Sequence, residues 1–130
     1  MLRIKLRKTD KLYTRLIRFK YDYTCQACGR KYSAYNTVKL ANLGVSHYFG
    51  RGKESTRFDD NNVTLACNLP CHRKWETEKR GEYVEYMLER LGLEGLQELE
   101  LKSNQYKKRN DAEDEEMLKN RLLKAGLKEM

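Results

Sequence analysis

The chain carries one proline and two histidines, and nowhere do eighteen apolar residues run together. A membrane-spanning helix needs about twenty such residues, so none is expected. The opening segment "MLRIKLRKTDK" has no apolar stretch of the signal-peptide kind, which sets the expectation of a soluble protein in the cytoplasm. Apolar material is short throughout: mean hydropathy is -0.91 and 35% of residues are charged. A chain of 130 residues with this composition can form one compact domain with a small core and appendages, and an external staple is expected to help it fold. Pro-rich, Ser-rich and repeated segments are also missing, so nothing marks a linker between independent parts.

Acidic residues are scarce where basic ones are dense. The first 31 residues hold ten Lys or Arg against Asp10 and Asp22, whereas the remaining 99 hold seventeen of each sign. A basic arm beside a neutral body is the distribution of a nucleic-acid binder, with Arg3, Lys5, Arg7 and Lys8 as candidate contacts and DNA as the expected partner. A solvated face is the plainer reading. Tyr13, Phe19, Tyr21 and Tyr23 are interleaved with the charges and favour a binding surface, although the same rings would also pack the arm onto the body.

Four cysteines fall into two close pairs, Cys25-x2-Cys28 and Cys67-x3-Cys71. In a reducing compartment such pairs are metal ligands before they are disulfides, and four thiolates complete the tetrahedral shell of a structural zinc. Gly29 directly after Cys28 lets the backbone fold back so that amides face the sulfurs.

Between and around the pairs the pattern alternates between strand and helix. Tyr13, Leu16, Ile17 and Lys20 are at helical spacing, a strand is expected near 45–49, and "NVTLA" forms a second strand with Val63 and Leu65 on one face. Asn68 or Leu69 caps a helix whose first turn contains Pro70, and Gly81 ends it. Val84, Met87, Leu88 and Leu91 mark a tail helix stopped by Gly92; another follows around 94–106, and a last one, roughly 112–125, buries Leu118, Leu122 and Ala125. Three segments result: a basic N-terminal arm and helix (1–24), a core with the cysteine knuckles (25–80) and a helical C-terminal tail (81–130).

His72 is the residue that a plain zinc ribbon does not explain, because four thiolates already close the zinc shell. His47 lies on the first strand, Asn62 opens the second, and His72 and Glu76 leave one face of the helix. Each alone has an ordinary reading: a core ring, a turn residue, a solvated charge. As a set they point to a second site.

The segments "VSHYFGRG", "NNVTLAC" and "CNLPCHRKW", with the leading "CQACG", resemble the HNH, or ββα-metal (His-Me finger), endonucleases over about residues 25–80. "SHYFGRGKESTRFDDNNVTLAC" is similar in particular to phage-encoded members, including the lambdoid Rap-type recombination nucleases. The resemblance implies an α+β fold with a small ββα-metal core and a metal-dependent DNA endonuclease that hydrolyses phosphodiester bonds in DNA recombination, processing or packaging, phage or prophage encoded. By the same resemblance His47 is the general base, Asn62 fixes the loop that orients it, and His72 binds a catalytic Mg2+ or Mn2+. Glu76 is the further candidate ligand for that cation, and Arg51 and Arg57 are candidates to grip phosphate, with solvated loop charges as the alternative. The departure is Ser46, where many members carry an acidic or histidine ligand; Ser46→Asp would be expected to tighten the cation. The alternative function is a non-catalytic, zinc-stabilised DNA-binding module, and a zinc-stapled protein-interaction domain would leave the basic arm unexplained.

Overall fold

The computed structural model describes residues 5–127. Among them, in chain order, are α1 (Lys8–Lys20), α2 (Thr37–Leu40), β1 (Leu43–His47), β2 (Val63–Cys67), α3 (Arg73–Glu76), α4 (Arg80–Ser103) and α5 (Asp111–Lys124). The two strands form one antiparallel hairpin in which Leu43 faces Cys67, Val45 faces Leu65 and His47 faces Val63. No described helix is long and apolar enough to cross a membrane.

The hairpin is buried on both sides, which is why all five residues of β2 are buried. Alternation puts Leu43, Val45, Val63 and Leu65 in one cluster with Leu12, Tyr13, Leu16 and Ile17 of α1 and Leu118 and Leu122 of α5. Ser46 and Thr64, opposite each other on the hairpin, turn to α4 instead, where their hydroxyls meet Tyr83 and Tyr86 at 2.9 and 3.0 Å. There Tyr83 stacks on Trp75 of α3 at 4.4 Å, and Met87 and Leu99 complete a second cluster. The arm helix, the hairpin and the last tail helix thus share one core.

Several boundaries differ from expectation. The first strand begins at Leu43 and ends at His47, with Tyr48 N–H still donating to the Asn62 carbonyl. Asn68–His72 forms a kinked turn with Leu69 extended (φ -131°, ψ 130°) ahead of a short α3, and the chain breaks at Thr77 (φ -123°, ψ -100°), so Gly81 lies inside α4 and ends nothing. Gly92 does interrupt α4, with φ at 73° in the region that favours glycine. The buried stripe before it is Tyr83 and Met87, while Leu88 is exposed and Val84 half-buried; Tyr83 takes the inner position with its hydroxyl on Ser46 and its ring on Trp75.

The 48–62 loop between the strands is held from three directions. Arg57, 1% exposed, donates from Nε and Nη2 to Asp10 of α1 at 3.0 and 2.6 Å, and from Nη1 to the Arg51 carbonyl at 2.8 Å. Asp10 also accepts the Arg7 N–H at 2.8 Å, so one carboxylate closes the start of α1 and fixes the loop. Lys102 at the end of α4 pairs with Asp59, and its carbonyl accepts from Ser55. Asp60 receives the Tyr13 hydroxyl at 2.6 Å, both Nη groups of Arg121 at 3.1 and 2.7 Å and Lys20 at 3.2 Å, drawing α1 and α5 to the same turn.

Removing one partner of a buried pair strands the other, which costs about 3–5 kcal/mol. Asp10→Ala is therefore expected to lower stability to urea by that amount, whereas the double variant Asp10→Leu/Arg57→Met should recover part of it. A loss below about 1 kcal/mol for Asp10→Ala would show that the pair does not hold the loop.

Candidate metal centre and histidine site

The first knuckle is stitched together by its own backbone. Cys25 N–H donates to the Arg30 carbonyl at 2.9 Å and Gly29 N–H to the Cys25 carbonyl at 2.8 Å, with Gly29 at φ 80°. Gln26 N–H reaches the Leu65 carbonyl at 2.8 Å, which seats the knuckle on β2. Cys67 is the last residue of that strand, and Cys71 sits on the turn that follows. The sulfurs of Cys25, Cys28, Cys67 and Cys71 consequently lie within 4.8 Å of one another.

These distances fit a tetrahedral metal and not a disulfide. With Zn–S near 2.3 Å, the edge of a thiolate tetrahedron is about 3.8 Å; Cys28 and Cys67 sulfurs are 3.9 Å apart, whereas a disulfide needs about 2.05 Å. Burial alone would raise the Cys25 thiol, but amides of Cys28 and Cys67, at 3.4 and 3.3 Å from its sulfur, outweigh that and hold it at about 7. Burial pushes Cys71 up instead, and a bound cation would favour its thiolate. The Tyr32 hydroxyl, which accepts from Asn42 at 3.2 Å, is 2.9 Å from the Cys67 sulfur and would donate to it once that sulfur is a thiolate. Such outer donors orient ligands and temper their charge. The four cysteines are thus a site that can hold a metal and fits a structural zinc.

His72 is not one of these ligands. It stands at the start of α3 with Nε2 2.8 Å from Glu76 Oε1, one turn on, so the shared face expected from their spacing exists. Glu76 is half exposed. Apart from the four cysteines, no group of three or more His, Cys, Asp or Glu donors gathers among the described residues, so this pair has no third protein ligand of those types.

His47 ends β1 and is 8% exposed. Its Nε2 is 2.8 Å from the Arg57 carbonyl. A carbonyl only accepts, so Nε2 carries the proton and the lone pair of the neutral ring is on Nδ1. Burial lowers the ring to about 4, with the nearby Arg51 charge acting in the same direction against the Arg57 carbonyl. At neutral pH His47 is a neutral base of fixed tautomer. Asn62, fully buried, accepts the Phe49 N–H at 2.8 Å and donates to the carbonyls of Phe49 and Thr56 at 2.9 and 3.1 Å. It closes the loop from which Arg57 reaches His47.

Other expectations change. Arg57 is buried on Asp10, so it positions the loop from inside and cannot grip phosphate. Ser46 is fully buried with its hydroxyl 2.9 Å from that of Tyr83, so an aspartate there would be buried beside a phenol. In the arm, Arg7 pairs with Glu54 at 2.8 Å and Lys8 with Glu115 at 2.6 Å, so both are engaged within the protein; Lys5 is exposed, and Arg3 lies outside the described residues. Asp10, Asp60 and Tyr32 were not singled out in the sequence. Asp10 and Asp22 are the only acids among the first 31 residues, and that isolation was the available signal for Asp10.

Comparison of the chain with protein-family models, curated proteins and solved structures returns no match.

Two outcomes are expected from this geometry. Purified protein should contain one zinc per chain, and Cys28→Ser should lower metal content and melt the domain, because binding a structural zinc is part of the folding free energy; folded protein with two disulfides and no metal would refute the site. The second concerns pH. Unfolded histidine takes up a proton below about pH 6.5, which folded His47 refuses until about pH 4, so stability is full above this window and is lost as pH falls through it. Wild type should lose up to about 1.4 kcal/mol per pH unit there more than His47→Gln, as urea unfolding at pH 7 and 5.5 would show. Identical pH dependence would refute the buried neutral ring.

Proposed function

We propose that this protein is a metal-dependent DNA endonuclease of the ββα-metal (HNH) type, related in its chemistry to the phage-encoded enzymes its sequence resembles. The observation that supports this most is the state of His47: a buried neutral imidazole with its tautomer fixed by the Arg57 carbonyl. Any buried histidine has its N–H accepted in this way; here the bond also leaves Nδ1 as the defined lone pair that a general base in phosphodiester hydrolysis needs. On this reading Nδ1 of His47 takes the proton of the attacking water, and Asn62 keeps the loop in register so that Nδ1 stays aimed. His72 and Glu76 would hold the divalent cation, with water and phosphate oxygens in its other positions. Such a cation supplies charge neutralisation at the phosphoryl group and stabilises the leaving oxygen. The four cysteines and their zinc would keep the turn that bears His72 against the hairpin.

The two-donor cation site favours one rival, a zinc-stabilised DNA-binding module without catalysis. Supercoiled plasmid separates the two. The expected result is nicking or linearisation with Mg2+ or Mn2+, abolished by His47→Ala, which should keep its zinc and its DNA affinity. His72→Ala and Glu76→Gln should each lower cleavage at limiting Mn2+ with zinc content unchanged. Full cleavage by His47→Ala would remove the base assignment, and binding without cleavage under any cation would leave the module.

A further inference from the structure

The four sulfurs of the metal centre are not equivalent. Cys25 and Cys67 are 1% and 2% exposed, whereas Cys28 is exposed and Cys71 half-buried. The buried pair is also the capped pair. Cys25 Sγ accepts the Cys28 and Cys67 amides at 3.4 and 3.3 Å, and the Tyr32 hydroxyl stands 2.9 Å from Cys67 Sγ. Asn42 fixes that hydroxyl by donating to it, and its side-chain oxygen accepts the Leu69 N–H at 3.1 Å. Among the described residues no amide or hydroxyl caps the sulfur of Cys28 or Cys71.

Donors held against a thiolate withdraw charge from it, and burial keeps reagents away, so both effects direct reaction to the outer pair. Cys28 meets solvent first, and the other three sulfurs lie within 4.8 Å of it. Cys25 is pinned by its two amides and Cys67 is fixed in β2. Cys71 sits on the turn beyond that strand, where no strand pairing restrains it.

We propose that Cys28 is a site of oxidative modification by peroxide and closes a disulfide with Cys71, which disassembles the zinc centre. The Cys28 thiolate attacks one peroxide oxygen: an S–O bond forms, the O–O bond breaks, and the departing hydroxide takes a proton from solvent. The Cys71 thiolate then attacks the Cys28 sulfur; an S–S bond forms, the S–O bond breaks, and a second hydroxide leaves and is protonated. Two thiolates, one peroxide and two protons become one disulfide and two waters, with two electrons passing from sulfur to oxygen. A disulfide carries no charge to hold zinc, so the shell loses two of its four ligands. His72 follows Cys71 directly in the chain, so the turn that presents it loses its anchor. That last consequence, for activity, rests on the nuclease reading; the oxidation does not.

The test uses the zinc-loaded full chain, hydrogen peroxide and a metallochromic dye for free zinc. One zinc per chain should appear as two thiols are lost, and peptide mass mapping should find Cys28 joined to Cys71. Dithiothreitol with added zinc should restore the centre. Cys28→His keeps a four-ligand shell of three thiolates and an imidazole without the exposed sulfur, and should hold its zinc in peroxide several-fold longer. Tyr32→Phe should bind zinc yet release it several-fold faster, because Cys67 loses its cap. Zinc release from Cys28→His at the wild-type rate overturns the proposal, as does a first disulfide between Cys25 and Cys67, or zinc retained with all thiols free in excess peroxide. Mapping the wild-type disulfide decides the matter even where Cys28→His fails to keep its metal. After the peroxide is removed, Mn2+-dependent plasmid cleavage should have fallen in step with zinc release. Full cleavage by oxidised, zinc-free protein refutes the link to His72, whereas no cleavage by reduced, zinc-loaded protein refutes the nuclease reading and leaves the oxidation standing.

Discussion

One buried ion pair, Asp10 with Arg57, joins the parts of this protein that the chain separates by 47 residues. Ion pairs of this kind rarely add net stability over a well-packed apolar pair, so its value lies in what it specifies. Asp10 is fixed because it also receives the first amide of α1, and Arg57 is fixed because it also donates to Arg51 and reaches the Lys5 carbonyl. With both ends immobilised, the Arg57 carbonyl is placed, and with it the proton on His47. A helix start, a loop and an imidazole tautomer are thereby set by one contact.

The second constraint is the shortage of apolar residues. The hairpin is too small to be stable alone, since two strands without packing partners are marginal in water. It is covered on one side by α1 and α5 and on the other by α3 and α4, and the four sulfurs clamp its open end to the first knuckle. The metal centre and the two clusters therefore do related work: each holds β2 in place from a different direction. Residues as distant in sequence as Leu12 and Leu122 accordingly share one apolar cluster with that strand.

Much of this was readable in the sequence wherever a local rule governed it. The cysteine pairs, the glycine beyond Cys28, the two strands, the break at Gly92 and the i, i+4 approach of His72 and Glu76 all follow from spacing or backbone chemistry. What escaped was tertiary. Nothing local says that Arg57 would be buried while Arg51 kept a donor open, or that Arg7 and Lys8 would find Glu54 and Glu115. A basic arm looks uncommitted in sequence because its acids are supplied from elsewhere in the chain. Ser46 escaped for the same reason: only the fold reveals that its hydroxyl belongs to Tyr83.

The bidentate contact between Asp60 and Arg121 spans 61 residues and ends close to the C-terminus. Synthesis is vectorial and slow, roughly 5–20 residues per second. While a chain is still being made, the turn that carries Asp60 and leads into Asn62 must wait several seconds for the helix that anchors it. The cysteine centre, complete once Cys71 has emerged, has no such delay. A nascent chain of this protein can thus bring its four cysteines together before the turn at Asp60 is braced by α5.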